Sequence, residues 1–117
     1  MTMETTPRFL NGVFRFEGRG LAAPALLHPS LAYTVPGDKR AQLIYLRAGN
    51  SADGLVNLVL MRGGKPMRMF PVGAKGAMHV PLAVVEDIFP ETTLELYVAA
   101  PPGVAGEIVF DLGLMEV

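Results

Sequence analysis

The chain has 117 residues, with ten basic and eleven acidic side chains and no cysteine. This length is typical of one domain and is sufficient for a hydrophobic core, while the lack of cysteine excludes disulfide scaffolds, thiol nucleophiles and thiolate metal sites. The net charge of −1 and the scattered basic residues argue against nucleic-acid binding, because that depends on a basic face.

The sequence also allows predictions about the compartment of the protein and about how apolar its surface is. The N-terminal residues MTMETTPRFL lack a positive segment followed by an apolar one, so no signal peptide is predicted. No apolar run approaches the ~20 residues of a membrane helix, and we therefore expect a cytoplasmic protein without a membrane partner. Hydrophobic residues make up 50% of the chain and charged ones only 18%. This apolar excess suggests that the protein buries more surface than the core of a monomer requires.

The first 48 residues contain three predicted strands and one ambiguous segment. Residues 1–7 are polar and are predicted to form a flexible tail, and residues 8–117 to form the single domain. Phe14 and Phe16 alternate with charged neighbours, which indicates a half-buried strand with both rings inward. The segment 21–29 is apolar but holds two prolines, so either a short helical turn or an irregular edge segment fits it. Strands are predicted at residues 8–17, 31–35 and 41–48.

The clearest local signal is a β-hairpin within residues 55–76. Two apolar runs flank Gly63 and Gly64, whose tolerance of positive φ suits a two-residue turn. Such a turn sets the register, and it would pair Arg62 with Lys65, Leu60 with Met67, and Leu58 with Met69. This register predicts an inner face of Val56, Leu58, Leu60, Met67 and Met69 and an outer face of Asn57, Val59, Met61, Arg68 and Phe70.

The C-terminal part is predicted to hold three more strands. A short strand is expected at 77–82, and residues 84–89 have helix-like spacing that allows at most a turn or two before Pro90. Strands follow at 93–99 and 107–117. Their inward residues are predicted to be Leu94, Leu96 and Val98 in the first, and Ile108, Phe110, Leu112 and Leu114 in the second.

These elements define the fold class. About eight short strands, turn signals every ~8–12 residues and no long helix are typical of an all-β sandwich or barrel. The connections are too short for parallel crossovers, so the pairing is predicted to be antiparallel. We therefore predict an all-β, single-domain antiparallel β-sandwich of the jelly-roll or a related Greek-key type, with a closed barrel as the alternative.

The predicted outer faces are too apolar for an unshared surface. In strand 41–48, inward Ile44 and Leu46 would leave Leu43 and Tyr45 outward, and Val109 and Met115 are predicted to point outward as well. Exposed apolar patches mark interfaces, so the first hypothesis is a non-enzymatic homo-oligomer that acts as a structural module, or a module that binds a protein partner. In the alternative, the chain's own segment 21–29 covers the face. The predicted interface residues are Leu43, Tyr45, Val59, Met61, Arg68 and Phe70.

The second hypothesis is a small-ligand or carbohydrate-binding module. It would use the loops 49–54 and 71–76, with Tyr45, Asn50, Asp53 and Lys75 as the candidate ligand-binding residues. The loop 71–76, PVGAKG, lacks the spacing, the Ser or Thr and the following helix of a phosphate loop. We therefore interpret that loop as a turn between strands.

An enzyme is the third hypothesis. His28 and His79 show none of the spacing with carboxylates that metal sites and acid–base pairs require. Ser30 and Ser51 do not lie in a Gly-x-Ser-x-Gly nucleophile elbow. No catalytic residue, metal or cofactor is assigned, and an acid–base role of His28 or His79 stays open.

Overall fold

The computed structural model describes residues 5–82 and 87–117, and strands dominate them. The strands are β1 (Thr6–Glu17), β2 (Gly20–Leu26), β3 (Tyr33–Thr34), β4 (Ala41–Asn50), β5 (Val56–Arg62), β6 (Lys65–Val72), β7 (Ala77–Pro81), β8 (Asp87–Ile88), β9 (Thr93–Ala100) and β10 (Ala105–Glu116). A 3₁₀ turn at Pro29–Leu31 is the helical segment of the described residues. The predicted all-β class is confirmed.

The strands form two antiparallel sheets that pack face to face. The first sheet has the order β1-β10-β4-β7, and β8 also pairs with β4. The second has the order β2-β9-β5-β6, and β3 also pairs with β9. Apart from the β5–β6 hairpin, successive long strands pass from one sheet to the other, as in the double Greek key of a jelly roll. The predicted sandwich is confirmed, and the alternative of a closed barrel is not.

Strand β10 determines the inner face of the first sheet. It pairs with β1 over all twelve of its residues and with β4 over most of its length. Its alternate side chains are buried in the core as predicted, and so are those of β9 in the facing sheet. Burial of this kind contributes about 1.5–3 kcal/mol for each large apolar side chain.

The register of β4 differs from the predicted one because of a β-bulge. The pairing with β10 shifts between Gly113 and Leu114, and Ile44 has no partner in that register. Leu43 and Leu46 consequently both lie in the core, while the side chain of Ile44 is exposed. The prediction that Ile44 points inward and Leu43 outward is therefore wrong, whereas Tyr45 does lie on the outer side.

A second bulge changes the hairpin. Arg62 pairs with Lys65 as predicted, but the register then shifts, so that Leu58 lies opposite Phe70 rather than Met69. Pro66 has no N–H for the ladder, and a proline inside an edge strand commonly accompanies a bulge. Phe70 is therefore a core residue with 4% exposure, and Met69 is 62% exposed. The predicted sides of these two residues are the reverse of the observed ones.

Several predicted boundaries also change. Thr6 and Pro7 pair with the end of β10, so the predicted tail of residues 1–7 is too long at its C-terminal side. The ambiguous segment 21–29 contributes the edge strand β2, whose register with β9 is irregular. The predicted strand 31–35 is reduced to β3. Residues 84–86 of the helix-like segment 84–89 lie outside the described residues, and its described part contains β8.

A buried carboxylate joins the two sheets at one end of the sandwich. Glu116 of β10 accepts a hydrogen bond from the Tyr33 hydroxyl of the second sheet. It also forms an ion pair with Arg8, whose Nε lies 3.2 Å from Glu116 Oε1. The Glu116 side chain is 4% exposed, whereas that of Arg8 is about half exposed. Burial, and then the hydrogen bond to Glu116, raise the pKa of Tyr33 above its usual value.

We expect Glu116→Ala to destabilise the protein, because it leaves the Tyr33 hydroxyl and the Arg8 guanidinium without their shared acceptor. The expected loss in the free energy of unfolding is about 2 kcal/mol, since Arg8 is partly solvated. Urea unfolding measures it. The matched control is Arg40→Ala, which removes the exposed Arg40–Asp87 pair at 3.0 Å and should cost less than about 1 kcal/mol. Equal losses in the two variants contradict this assignment.

The raised pKa of Tyr33 predicts a dependence of stability on alkaline pH. Above the ordinary tyrosine pKa, the unfolded chain releases the Tyr33 proton while the folded chain keeps it, so the contribution of Tyr33 is complete below that pH and falls above it. The stability difference between the natural chain and Tyr33→Phe should be constant from neutral pH to about pH 9 and shrink from about pH 10 upward. A difference that stays constant to pH 11 contradicts the prediction.

Candidate functional site: the outer face of the first sheet

The outer face of the first sheet is a grid, because its register aligns residues of four strands in transverse rows. Each row takes one residue from β1, β10, β4 and β7 in turn. The rows are a polar row of Asn11, Asp111, Arg47 and His79, an apolar row of Val13, Val109, Gly49 and Ala77, and an aromatic row of Phe9, Gly113, Tyr45 and Pro81. These twelve residues are called the outer face below.

Large apolar side chains are exposed on this face. Phe9 and Val13 of β1 are both 59% exposed, and Val109 of β10 is 56% exposed, as predicted for Val109. Val13 and Val109 are partners in the apolar row, and Phe9 lies on the other side of the polar row, in the aromatic row. Exposed apolar side chains grouped in this way are a common feature of interaction surfaces, so this face is the candidate site.

A polar cluster lies in the middle of the face. The Tyr45 hydroxyl and Arg47 Nη2 both donate to Asp111 Oδ2, at 3.0 and 2.9 Å. The Arg47 guanidinium lies over the Tyr45 ring, 4.8 Å from its centroid, and the His79 ring meets the Tyr45 ring edge-on at 6.0 Å. The Tyr45 ring fits because residue 113 is glycine: a Cβ there would lie 2.1 Å from a Tyr45 ring carbon.

Arg47 is a cation like every arginine, and its neighbours in the cluster favour that form further. Its contacts with Tyr45 and then with Asp111 raise the pKa of Arg47 above its usual value. Asp111 Oδ2 accepts the hydrogen bonds from both Tyr45 and Arg47, whereas Asp111 Oδ1 is buried without a hydrogen-bond partner. A buried acceptor without a hydrogen-bond partner lowers the free energy of unfolding. The carboxylate therefore has acceptor capacity that the chain itself does not use.

Two shallow depressions meet at Gly49, where the missing side chain leaves space beside Val109. The larger, of about 460 Å³, is lined by Arg47 and Asp111 on one side and by Ala77 on the other. The smaller, of about 320 Å³, extends from Val13 to Ser51 and Glu107. The face thus combines a projecting Val109 with an adjacent recess at Gly49.

The second sheet also has an apolar outer row, but its centre is covered by its own neighbours. In register, Val59 lies between Tyr97 of β9 and Met69 of β6, and Leu26 lies beyond Tyr97. Val59 is consequently only 2% exposed. Segment 21–29 extends this face as an edge strand rather than covering it.

The structure does not bring the six predicted interface residues onto one surface. Leu43 and Phe70 are core residues, because the two bulges turn them inward. Arg68 lies opposite Leu60, hence on the inner side of the edge strand β6. Tyr45 lies on the outer face of the first sheet, whereas Val59 and Met61 lie on that of the second, so a single interface cannot include all of them.

The predicted ligand-binding residues are also separated. Asn50 is buried, and its side-chain nitrogen donates to the carbonyls of Gly54 and Gly73 at 3.0 and 3.2 Å, so it ties the loops 49–54 and 71–76 together. Asp53 and Lys75 form an exposed ion pair at 3.3 Å. Tyr45 lies five residues from Asn50 along β4, about 16 Å away. Ligand binding by Asp53, Lys75 and Tyr45 stays a prediction, and they do not share a pocket with Asn50.

The histidines occupy different environments. His28 Nδ1 accepts from the backbone N–H of Ser30 at 3.1 Å and so caps the 3₁₀ turn, and its ring lies 5.0 Å from that of Phe14. Over residues 5–82 and 87–117, no three potential metal ligands of the His, Cys, Asp and Glu types come together. In the same ranges, no helix has the length and apolar character needed to cross a membrane.

Residues missed by the sequence analysis dominate the observed site. Phe9, Val13, Arg47 and Asp111 were not assigned to it, although the alternation that turns Phe110 and Leu112 inward also turns Asp111 outward. The position of Arg47 beside Asp111 depends on the pairing of β4 with β10, because the two residues are 64 positions apart in sequence.

Comparison with known proteins identifies the fold. No protein-family model and no curated protein matches the chain. Among solved structures it is similar to the CBM36-1 domain, a carbohydrate-binding module, of a multidomain xylanase from the hindgut metagenome of Trinervitermes trinervoides, with 16% identity and a TM-score of 0.54 over 90% of this chain and 95% of that one. This likeness supports the sandwich fold alone.

Two further solved structures show weaker similarity. One is from infectious bursal disease virus, Gx strain, with 11% identity and a TM-score of 0.48 over 97% of this chain and 36% of that one. The other is an insecticidal delta-endotoxin from Bacillus thuringiensis, with 14% identity and a TM-score of 0.42 over 95% of this chain and 19% of that one.

We expect Gly113→Ala to disrupt the polar cluster, because the new Cβ displaces the Tyr45 ring from its position beside Asp111 and Arg47. The expected cost is about 1–3 kcal/mol in the free energy of unfolding. The matched control is Gly49→Ala, whose Cβ meets Val109 at an ordinary 3.8 Å and should cost nothing or stabilise by about 0.5 kcal/mol. Chemical denaturation measures both. Equal effects at the two glycines contradict the role given to Gly113.

Proposed function

We propose that the protein is a non-enzymatic β-sandwich module that self-associates through the outer face of the first sheet, and so acts as a structural or protein-interaction unit. The observation that carries the proposal is the exposure of Phe9, Val13 and Val109 on one sheet face. A single exposed apolar residue needs no explanation, but a group on adjacent strands does.

The chemistry of the face supports a protein partner. Tyrosine and arginine are the residue types enriched in the energetic centres of interfaces, and Tyr45 and Arg47 lie at the middle of this face. Their positions are already restrained by Asp111, so less conformational entropy is lost on binding. Apolar side chains on both sides of the polar row would exclude water from it.

The second sheet is the weaker candidate for self-association. Its most central apolar residue, Val59, is already buried between Tyr97 and Met69, so association there removes little further surface from water. The interface is therefore proposed on the first sheet, whereas the sequence analysis predicted most of it on the outer face of the β5–β6 hairpin, which belongs to the second sheet.

Light scattering coupled to size-exclusion chromatography tests the proposal. The natural chain should have twice the monomer mass at high protein concentration and dissociate on dilution. Val109→Lys should shift it to the monomer mass, because it places a charge at the centre of the interface without disturbing the core. The matched control is Met69→Lys, equally exposed but on the second sheet, which should leave the mass unchanged.

Two results would overturn the proposal. One is a natural chain that stays monomeric over the whole concentration range. The other is dissociation by Met69→Lys with no effect of Val109→Lys, which moves the interface to the second sheet.

A second candidate function is binding of a small ligand or carbohydrate in the depression beside Gly49. Its volume of about 460 Å³ lies within the range of ligand pockets, and Arg47 and Asp111, which line it, offer donors and acceptors. Titration with xylan oligosaccharides, followed by amide chemical shifts, tests this reading. Shifts confined to Arg47, Gly49 and Asp111 support it, and a spectrum unchanged at millimolar ligand contradicts it.

A further inference from the structure

We propose that two copies stack face to face through their outer faces, related by a two-fold axis that runs parallel to the strands between β4 and β10. This inference rests on the proposed self-association and specifies its geometry. It follows from the strand order β1-β10-β4-β7, which places β4 and β10 at the middle of these four strands.

The symmetry determines which residues meet. Rotation about this axis reverses the strand order but leaves each transverse row at its own level. Strand β1 therefore faces β7 of the second copy, and β10 faces β4. Each residue faces the residue of the same row on that opposite strand. Val109 faces Gly49 of the second copy, Asp111 faces Arg47, Val13 faces Ala77, and Asn11 faces His79.

These facing pairs are complementary in shape. Val109 projects with 56% exposure, and the residue opposite it is glycine, at the point where the two depressions meet. The bulkier Val13 likewise meets the small Ala77. A large side chain of each copy thus meets a small one of the other. Two sheets that pack about 10 Å apart require such a fit.

The facing pairs are also complementary in charge. Asp111 of each copy meets Arg47 of the other. The two Arg47–Asp111 ion pairs within the chains are thus joined by two Arg47–Asp111 ion pairs between them. The Arg47 guanidinium has five N–H donors in a fork, and its Nη2 already donates to Asp111 of its own chain. Networks of this kind give an interface its orientation.

The other in-plane axis brings like charges together. A two-fold axis perpendicular to the strands along the polar row would place Asp111 on Asp111 and Arg47 on Arg47. Moved to the apolar row, it would place Asp111 on Glu107 of the second copy. At these two positions the perpendicular axis opposes like charges, whereas the parallel axis pairs opposite ones, so the charges favour the parallel axis.

The position of the axis follows from area. The strands β1, β10, β4 and β7 have 12, 12, 10 and 5 residues, and at about 16 Å² of sheet per residue they present roughly 600 Å² per copy. Only an axis at the centre of the four strands overlaps all of them. Because the five-residue β7 faces β1 and nine residues of β10 face β4, about 28 residues of each copy overlap. The resulting total, roughly 900 Å², is in the range of weak interfaces, so dissociation on dilution is expected.

Cysteine cross-linking tests this geometry, because the natural chain has no cysteine. The variants are Asn11→Cys and His79→Cys, both at exposed positions on opposite edge strands of the face. With the proposed axis, residue 11 of one copy lies about 10 Å from residue 79 of the other, but about 17 Å from residue 11. The probe is a bis-maleimide with a reach of about 10 Å, matched to the spacing of packed sheets.

We expect the mixture of the two variants to give about tenfold more cross-linked dimer than either variant alone, since the thiols are held close together. The control mixture of Met69→Cys with His79→Cys, which lie on opposite sheets, should give no excess. Efficient cross-linking of Asn11→Cys alone overturns the parallel axis but leaves the proposed self-association in place. A dimeric mass without excess in the mixture likewise overturns the geometry alone. A monomeric mass overturns both.

Discussion

The alternation of side chains along β10 is the constraint on which the rest of the structure depends. Four of its side chains, from Ile108 to Leu114, are buried in the sandwich core, so the residues between them must point away from it. β10 also pairs with β1 on one side and β4 on the other. Its register therefore assembles both the core of the first sheet and the transverse rows of the outer face.

Other contacts hold this arrangement at its two ends. At one end Glu116 joins β10 to Arg8 of the first sheet and to Tyr33 of the second. At the other, Asn50 ties the loop after β4 to the end of β6 and the turn that follows it. Both are buried polar side chains with their partners in place, and such groups favour one arrangement of the chain over its alternatives. The outer face therefore lies between two ends of the sandwich that are each fixed by buried hydrogen bonds.

The regular strands could be predicted from the sequence, and the bulged ones could not. Alternation assigned the inward residues of β9 and β10 correctly, because neither strand contains an extra residue that changes the side on which its side chains lie. In β4 and β6 one extra residue reverses the faces beyond it. Pro66 carried a signal for the second bulge, since it cannot donate to the ladder. Ile44 carried none, because all its neighbours are apolar.

The residues of the candidate site could likewise be predicted only in part from the sequence. The apolar excess correctly indicated an exposed apolar face, but following the hairpin register past its bulge led to Phe70, which is a core residue. Asp111, Arg47 and Tyr45 come together only because β4 pairs with β10. Long-range strand pairing is decided by topology, and no local pattern in either strand specifies it.

The shape of the protein in solution tests the central claim most directly. One copy has a radius of gyration of 14.5 Å and extents of 54 × 24 × 23 Å. Two copies stacked through the outer face should have a radius of gyration of about 19 Å in small-angle scattering at high concentration, close to that of a compact particle of twice the length. A value that stays near that of one copy, or an end-to-end value of about 31 Å, contradicts the account.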